Sequence, residues 1–332
     1  MILGVVAAVI LVAAAVTFVW ADSHLSGAGG AEVDVAIPND AGHQTLSHLL
    51  TRAGVVTDGW LFTRYLDYRG YPAVRGGTYA FRHHEGYREA LEDIGRGPKV
   101  VELRLTIPEG YDLAQTAAAV GKLPGFSASQ FLEVAKSGVV ISPYEPAGSD
   151  NLEGLVFPDT YFVDPGESDQ EILQTMVDRF DQIADEVGLN NSQADIGLNA
   201  YQTIVLASLV EAEAKVPPDR GKIARVILNR LADGMKLQID ATVEYAEGVH
   251  KSRLLDSDLA FNSPYNTYQV NGLPPGPIDA PGEASLAAAL DPTPGTWLYY
   301  VVIDSAGDSG FATTPQQFEQ LVQLARSRGV DN

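Results

Sequence analysis

The run from Ile2 to Trp20, ILGVVAAVILVAAAVTFVW, carries no charged residue. About 20 apolar residues are what a helix needs to cross a bilayer, and this run reaches that length. It is therefore read as a transmembrane anchor over residues 1–21, with Trp20 at the outer interface. A cleavable signal peptide is the alternative. That reading would want a basic start and a shorter apolar core, and the small-residue site around Ala13–Ala15 falls inside the run. No Lys or Arg precedes the span, so flanking charge does not orient it.

The remainder of the chain is long enough for two domains. The chain has no cysteine, which excludes a disulfide framework and a thiolate zinc site and suits an extracytoplasmic protein. Its net charge of −21 argues against nucleic acid as a partner, because phosphate binding needs a basic surface. It also argues against adhesion of the chain as a whole to anionic lipid. The charges are dispersed and read as a solvated surface.

Residues 22–31 form a Ser/Gly-rich linker. Glu32–Ile37 alternates polar and apolar residues as a strand does. Helical stretches around 45–53 and 58–68, a strand at Gly77–Phe81, a helix at Tyr87–Ile94 and a strand at Val100–Ile107 complete a small LysM-like subdomain over residues 32–108. Residues 109–332 are expected to form a larger mixed α+β catalytic domain. There, Ser168 and Glu171 form a capping box, and Leu173, Val177, Phe180, Ala184 and Val187 share one helical face. Gln193–Glu213 reads as one more apolar, more buried helix. Asp219–Asp233 reads as a third, between Pro217-Pro218 and Gly234. Trp297–Ile303 is a buried-strand candidate, and Thr314-Pro315-Gln316-Gln317 opens a terminal helix.

Several chemistries are absent from the sequence. The six histidines make no H-E-x-x-H pattern, and there is neither a G-x-S-x-G elbow nor a phosphate-cradling glycine loop. Glu211 differs from the other acidic residues. Its same-face neighbours on a helix are Ala207, Ser208, Ala214 and Lys215, three of them small, which would leave room for a ligand. The apolar run around it would favour the neutral form of a carboxyl group, as a general acid requires. An ordinary Glu211–Lys215 surface pair fits the same spacing equally well. Glu213 is about 200° further around the helix and cannot share the same cleft, so it is expected to face solvent or a backbone group. Gln238, Asp240 and Thr242 would share one face of an extended segment. Tyr265-Asn266-Thr267-Tyr268 adds the amides, hydroxyls and rings that carbohydrate sites use.

The motifs E-G-x-x-F-P-D-T-Y at Glu153–Tyr161, A-S-L-V-E-A-E-A at Ala207–Ala214 and I-x-x-V-I-L-N-R-L-x-x-G-M-x-L-Q-x-D-x-T-V-x-Y-A at Ile223–Ala246 resemble those of the YceG-like (MltG) endolytic murein transglycosylases. So do Y-N-T-Y at Tyr265–Tyr268, G-L-P-P-G-P-I at Gly272–Ile278 and Pro281-Gly282. The resemblance runs in order from about Leu103 to the C-terminus. It implies a membrane-anchored lyase that cuts the β-1,4 bond between N-acetylmuramic acid and N-acetylglucosamine in nascent strands. The cut adds no water, leaves a 1,6-anhydro ring and terminates strand elongation. It implies Glu211 as the catalytic acid and Gln238, Asp240, Asn266, Tyr268 and Glu153 as substrate-binding residues. No metal or cofactor is implied. The implied partners are peptidoglycan strands, the membrane and, by family association, peptidoglycan synthases. The family's G-x-H-x-F motif is replaced here by Asp308-Ser309-Gly310-Phe311, without the histidine. A hydrolytic muramidase and a non-catalytic murein-binding scaffold are the alternatives.

Overall fold

The computed structural model describes residues 27, 29–70, 73–99, 102–249, 251 and 254–330. The expected anchor and most of the linker lie outside these residues. Among the described residues no helix is long and apolar enough to cross a membrane. The chain divides into two compact units, residues 1–101 and 102–332.

The first unit contains β1 (Glu32–Ile37), α1 (His43–Arg52), α2 (Gly59–Arg69), β2 (Gly77–Arg82) and α3 (Tyr87–Arg96). The two strands pair antiparallel, Glu32 opposite Arg82 and Ile37 opposite Gly77. Their alternation turns Val35, Ile37, Tyr79 and Phe81 onto a core closed by Leu46, Leu50, Phe62, Leu66 and Ile94. The strand–helix–helix–strand order expected of the LysM-like part is present. Its expected closing strand is not. Leu103–Thr106 (β3) lies in the second unit, paired antiparallel with Thr160–Val163 (β4), so the division falls before residue 102 rather than after 108. The preference is set by burial: Leu105 and Ile107 belong to the second unit's core.

The second unit is a mixed α+β assembly, mostly helical, with two two-stranded sheets. After β3 come α4 (Leu113–Val120) and α5 (Ala128–Ala135), then β4 and the long α6 (Asp169–Glu186). The Ser168–Glu171 capping box forms as expected, and α6 buries Leu173, Val177, Phe180 and Ala184. The single helix expected over Gln193–Glu213 is broken. A short α7 (Ser192–Asp195) precedes Gly197, which takes a left-handed φ of 77°, and α8 (Ala200–Glu213) begins afresh behind an Asn199–Gln202 capping box. Thr203 through Val210 are all buried, so α8 is the central helix of the unit. It ends at Glu213, shortly before Pro217-Pro218, where the pre-proline Val216 is extended. Next are α9 (Arg220–Ala232), α10 (Asp240–Glu247), α11 (Asp256–Leu259) and α12 (Glu283–Leu290). The hairpin β5 (Tyr299–Val302)–β6 (Ser309–Ala312) and α13 (Pro315–Ser327) close the chain. The helices α9, α10 and α12 all pack on α8. Strand β5 is less buried than expected, with only Val301 in the core.

Two distant motifs meet in this core. Gly154 has a φ of 74°, and a Cβ there would lie 2.4 Å from Pro277, so the E-G motif admits the proline turn only because residue 154 is glycine. Beside it, Glu153 is 4 % exposed. Its carboxyl accepts hydrogen bonds from the Leu113 N–H at 3.0 Å and the Tyr245 hydroxyl at 3.1 Å, linking the first turn of α4 to α10. Burial, reinforced by the charge of Asp112, pushes its pKa up to about 8 from an ordinary 4.5. Between those values the folded chain keeps a proton that the unfolded chain has released. Stability therefore falls as pH rises through this window. Replacing Glu153 by the neutral Gln should flatten that fall, read as the denaturant midpoint measured on both sides of the window.

Candidate active site

The end of α8 carries two carboxylates that face different environments. Glu211 is anchored on three sides. Its Oε2 accepts from the Ser285 hydroxyl at 2.6 Å and from the Gly282 N–H at 3.2 Å, and its Oε1 lies 3.5 Å from Arg220 Nη2. Arg220 also donates from Nε to Ser285 at 3.0 Å and stands 3.8 Å from Glu109. A Cβ at Gly282 would fall 2.0 Å from Glu109 Oε1, so a side chain there would push the half-exposed Glu109 carboxyl aside. The Glu211 side chain is 8 % exposed. The Lys215 pairing and the apolar surroundings suggested by spacing are both replaced by this polar cluster. The room expected at Ala207 and Ser208 is filled by the chain itself. Ala207 and Ser208 are fully buried, Ser208 accepts the Ile278 N–H at 3.2 Å, and α12 packs along the same face.

A cleft of about 590 Å³ borders Glu211, with Asp112, Gln115, Lys215, Glu244 and Asp279 among its lining residues. Asp279 is 4 % exposed, and its Oδ1 has no hydrogen-bond partner among the described residues. Burial, with the charges of Glu211 and Glu153 nearby, raises its pKa well above the carboxylate range.

Glu213 opens on a second cavity of about 410 Å³, shared with Gln238, Asp240, Tyr268, Tyr299, Tyr300 and Arg230. The Tyr300 hydroxyl donates to Glu213 at 2.9 Å. Desolvation raises the Glu213 pKa above the ordinary carboxylate value. The Tyr300 hydrogen bond opposes that rise and the charge of Asp240 adds to it. On the facing wall, Tyr268 donates its hydroxyl to Asp240 Oδ1 at 2.5 Å. Arg230 donates to the carbonyls of Leu298 and Leu237 and lies over the Tyr299 ring at 5.4 Å, tying β5 to the segment that carries Gln238. The Asp308–Phe311 stretch is here too, with Ser309 lining the cavity and its N–H donating to Asp219 at 2.8 Å.

The residues expected at the site thus separate. Gln238, Asp240 and Tyr268 come together, but around Glu213 rather than Glu211. They do not lie on an extended face: Gln238 has a φ of 54°, Asp240 is the first residue of α10, and Thr242 is fully buried. Asn266 has no free face for a sugar. It is fully buried, its Nδ2 donates to the carbonyls of Leu259 and Phe261 and its Oδ1 accepts the Tyr268 N–H, so it shapes the loop that presents Tyr268. Glu153 lies in the interior, where Leu113 and Tyr245 occupy its carboxyl oxygens. Sequence reasoning missed Tyr300, Arg230 and the orientation of Glu213. The tyrosine pair Tyr299-Tyr300 within an otherwise apolar strand was the available signal. Among the described residues no group of three or more His, Cys, Asp or Glu side chains is disposed to hold a metal ion.

Comparison with known proteins bears on the whole of this architecture. The YceG-like family matches residues 35–324. A protein of Bacillus subtilis named endolytic murein transglycosylase is 31% identical over 296 residues, covering 85% of this chain and 81% of its own. A Streptococcus pneumoniae protein of the same name is 30% identical over 319 residues, covering 87% of this chain and 58% of its own. Among solved structures, a YceG-like protein of Listeria monocytogenes superposes with a TM-score of 0.60 at 29% identity, covering 87% of this chain and 98% of its own. The family match spans most of the chain, and the chain belongs to the YceG-like family.

Proposed function

We propose that this chain is a membrane-anchored endolytic murein transglycosylase with Glu213 as its acid and base. It cuts the bond between N-acetylmuramic acid and N-acetylglucosamine within nascent strands, leaves 1,6-anhydro ends and so terminates strand elongation. The activity is that named for the relatives. The observation that carries the residue assignment is the placement of Glu213 in a cavity with Gln238, Asp240, Tyr268 and Tyr300. Glu211, by contrast, is committed to Arg220, Ser285 and Gly282.

The chemistry needs only one carboxyl group. Protonated Glu213 gives its proton to the glycosidic oxygen as that oxygen's bond to the muramic C1 breaks. The resulting carboxylate then takes the proton of the 6-hydroxyl on the same muramic acid, and that oxygen closes onto C1. No water enters and the proton balance at Glu213 is restored, so the paired carboxylates of hydrolytic glycosidases are not needed. Desolvation favours the protonated Glu213 that the first step needs, and the Tyr300 hydroxyl stabilises the carboxylate that the second step needs. Gln238, Asp240 and the Tyr268 hydroxyl are the groups that orient the two sugars. The anchor holds the site near the membrane, where new strands emerge and peptidoglycan synthases work.

Digestion of un-crosslinked strands, read by mass spectrometry, tests the assignment. Glu213→Gln should lower formation of anhydro ends by about a hundred- to ten-thousand-fold with the fold intact. Glu211→Gln should act mainly on stability, by about 1–3 kcal/mol, because it removes the nearer and more buried of the two carboxylates beside Arg220. The opposite pattern would return the acid to Glu211, and products heavier by one water would make the enzyme a muramidase.

Tyr300→Phe removes a hydrogen bond that lowers the Glu213 pKa. Glu213 should then hold its proton to higher pH, so the alkaline limb of kcat/KM should move upward. Turnover should fall because the carboxylate loses its donor. An unmoved limb would separate Tyr300 from the acid.

A further inference from the structure

The whole chain is strongly acidic, but the charge is unevenly divided. Residues 1–101 hold 8 Lys and Arg against 10 Asp and Glu, and residues 102–332 hold 14 against 33, giving −2 and −19. Repulsion from anionic lipid is therefore concentrated in the second unit.

The first unit has two ends, and the chain enters at one of them. The Gly86 N–H donates to the Gly27 carbonyl, and the Gly30 N–H to the His83 carbonyl, so the segment arriving from the apolar run packs on the β2–α3 loop. That loop is joined to the α1–α2 connection, since the His84 N–H donates to the Gly54 carbonyl and the Tyr87 hydroxyl to the Asp58 carbonyl. Asp58 in turn caps α2 through the Leu61 N–H. Trp60, in the first turn of α2, thus belongs to the end of the unit where the apolar segment enters. It is 67 % exposed. Arg64 stands over its ring at 5.7 Å, and Arg52, the last residue of α1, is exposed at the same end. The acidic residues there are partly committed: Asp58 caps α2 and Glu85 is buried, while exposed Asp67 stands 3.7 Å from Arg64.

We infer that this end of the first unit docks on the headgroup layer of an anionic phospholipid bilayer, with Trp60 entering the interface and Arg52 and Arg64 facing the lipid phosphates. An indole with one apolar and one polar edge is suited to that depth, and guanidinium groups beside it draw on the surface potential of anionic lipid. Few residues separate Trp20 from Gly27, so a bilayer-spanning run at residues 2–20 keeps this end within reach of the surface. The inference rests on that spanning role for the N-terminal run. Its consequence is a first unit lying on the membrane instead of swinging free on a tether.

The chain has three tryptophans, so full-length protein carrying Trp20→Phe and Trp297→Phe reports on Trp60 alone. In phosphatidylglycerol vesicles whose acyl chains are brominated near the headgroup, Trp60 emission should shift to the blue and be quenched. Adding Arg52→Gln and Arg64→Gln should relieve the quenching while the protein still floats with the vesicles. Floating protein with water-like, unquenched Trp60 emission would overturn the docking and leave the anchor standing. Protein that does not float would overturn both.

Discussion

The carboxylate of Glu211 holds together segments that are far apart in sequence. Through it the last turn of α8 is fixed to Gly282 at the start of α12, to Ser285 one turn later, and through Arg220 to the start of α9. The N–H of Gly282 at the start of α12, the Ser285 hydroxyl and a guanidinium converge on one side chain. This clamp sets the rotation of the end of α8. Glu213 lies two residues further on, about 200° around the axis, so it projects away from the clamp. Fixing one carboxylate aims the other. That division of labour lets a helix buried over most of its length present its two acidic groups to different cavities, one clamped and one not.

The cavity wall around Glu213 is assembled from weak pieces with strong supports. The loop bearing Gln238 and Asp240 is fastened from behind: the Ile239 N–H donates to the Thr267 hydroxyl, Thr242 and Thr267 hydrogen-bond at 2.9 Å, and the Gln238 N–H donates to the Thr267 carbonyl. Asn266 secures the other strand of this contact. These polar groups are buried and paired, which gives the wall one arrangement and makes each member costly to remove. The Y-N-T-Y motif is therefore divided in purpose. Asn266 and Thr267 face inward to hold the loop, and Tyr268 faces the cavity.

Much of the fold could be read from the sequence because local rules and burial agreed. Ser168 and Glu171 announced α6, its apolar face is the one that packs, and the Thr314–Gln317 box opens α13. Reading failed where a distant segment decides. The small residues at 207 and 208 looked like space for a ligand, but the turn ending at Ile278, about seventy positions later, occupies it. The alternation Gln238-x-Asp240-x-Thr242 fits a strand, yet Thr267 offers Thr242 a buried partner and α10 starts at Asp240. Choosing between Glu211 and Glu213 needed the same information, since the partners of both lie on α9, α12 and β5. Their spacing alone correctly separates their environments but does not say which of the two carboxylates is tied down by its neighbours.

A lytic cut asks contradictory things of one carboxyl group: it must hold a proton long enough to give it away and then be basic enough to take another. On the assignment proposed above, the surroundings of Glu213 supply both demands from different sources. Loss of water, aided by Asp240, raises its pKa, while Tyr300, Lys215 and Arg230 lower it. Two of the lowering groups are held in place for other reasons: Tyr300 by its position on β5, and Arg230 by the carbonyls it binds. The balance at Glu213 is therefore built into the backbone framework, and a substrate entering the cavity would displace solvent without having to assemble the groups that set it.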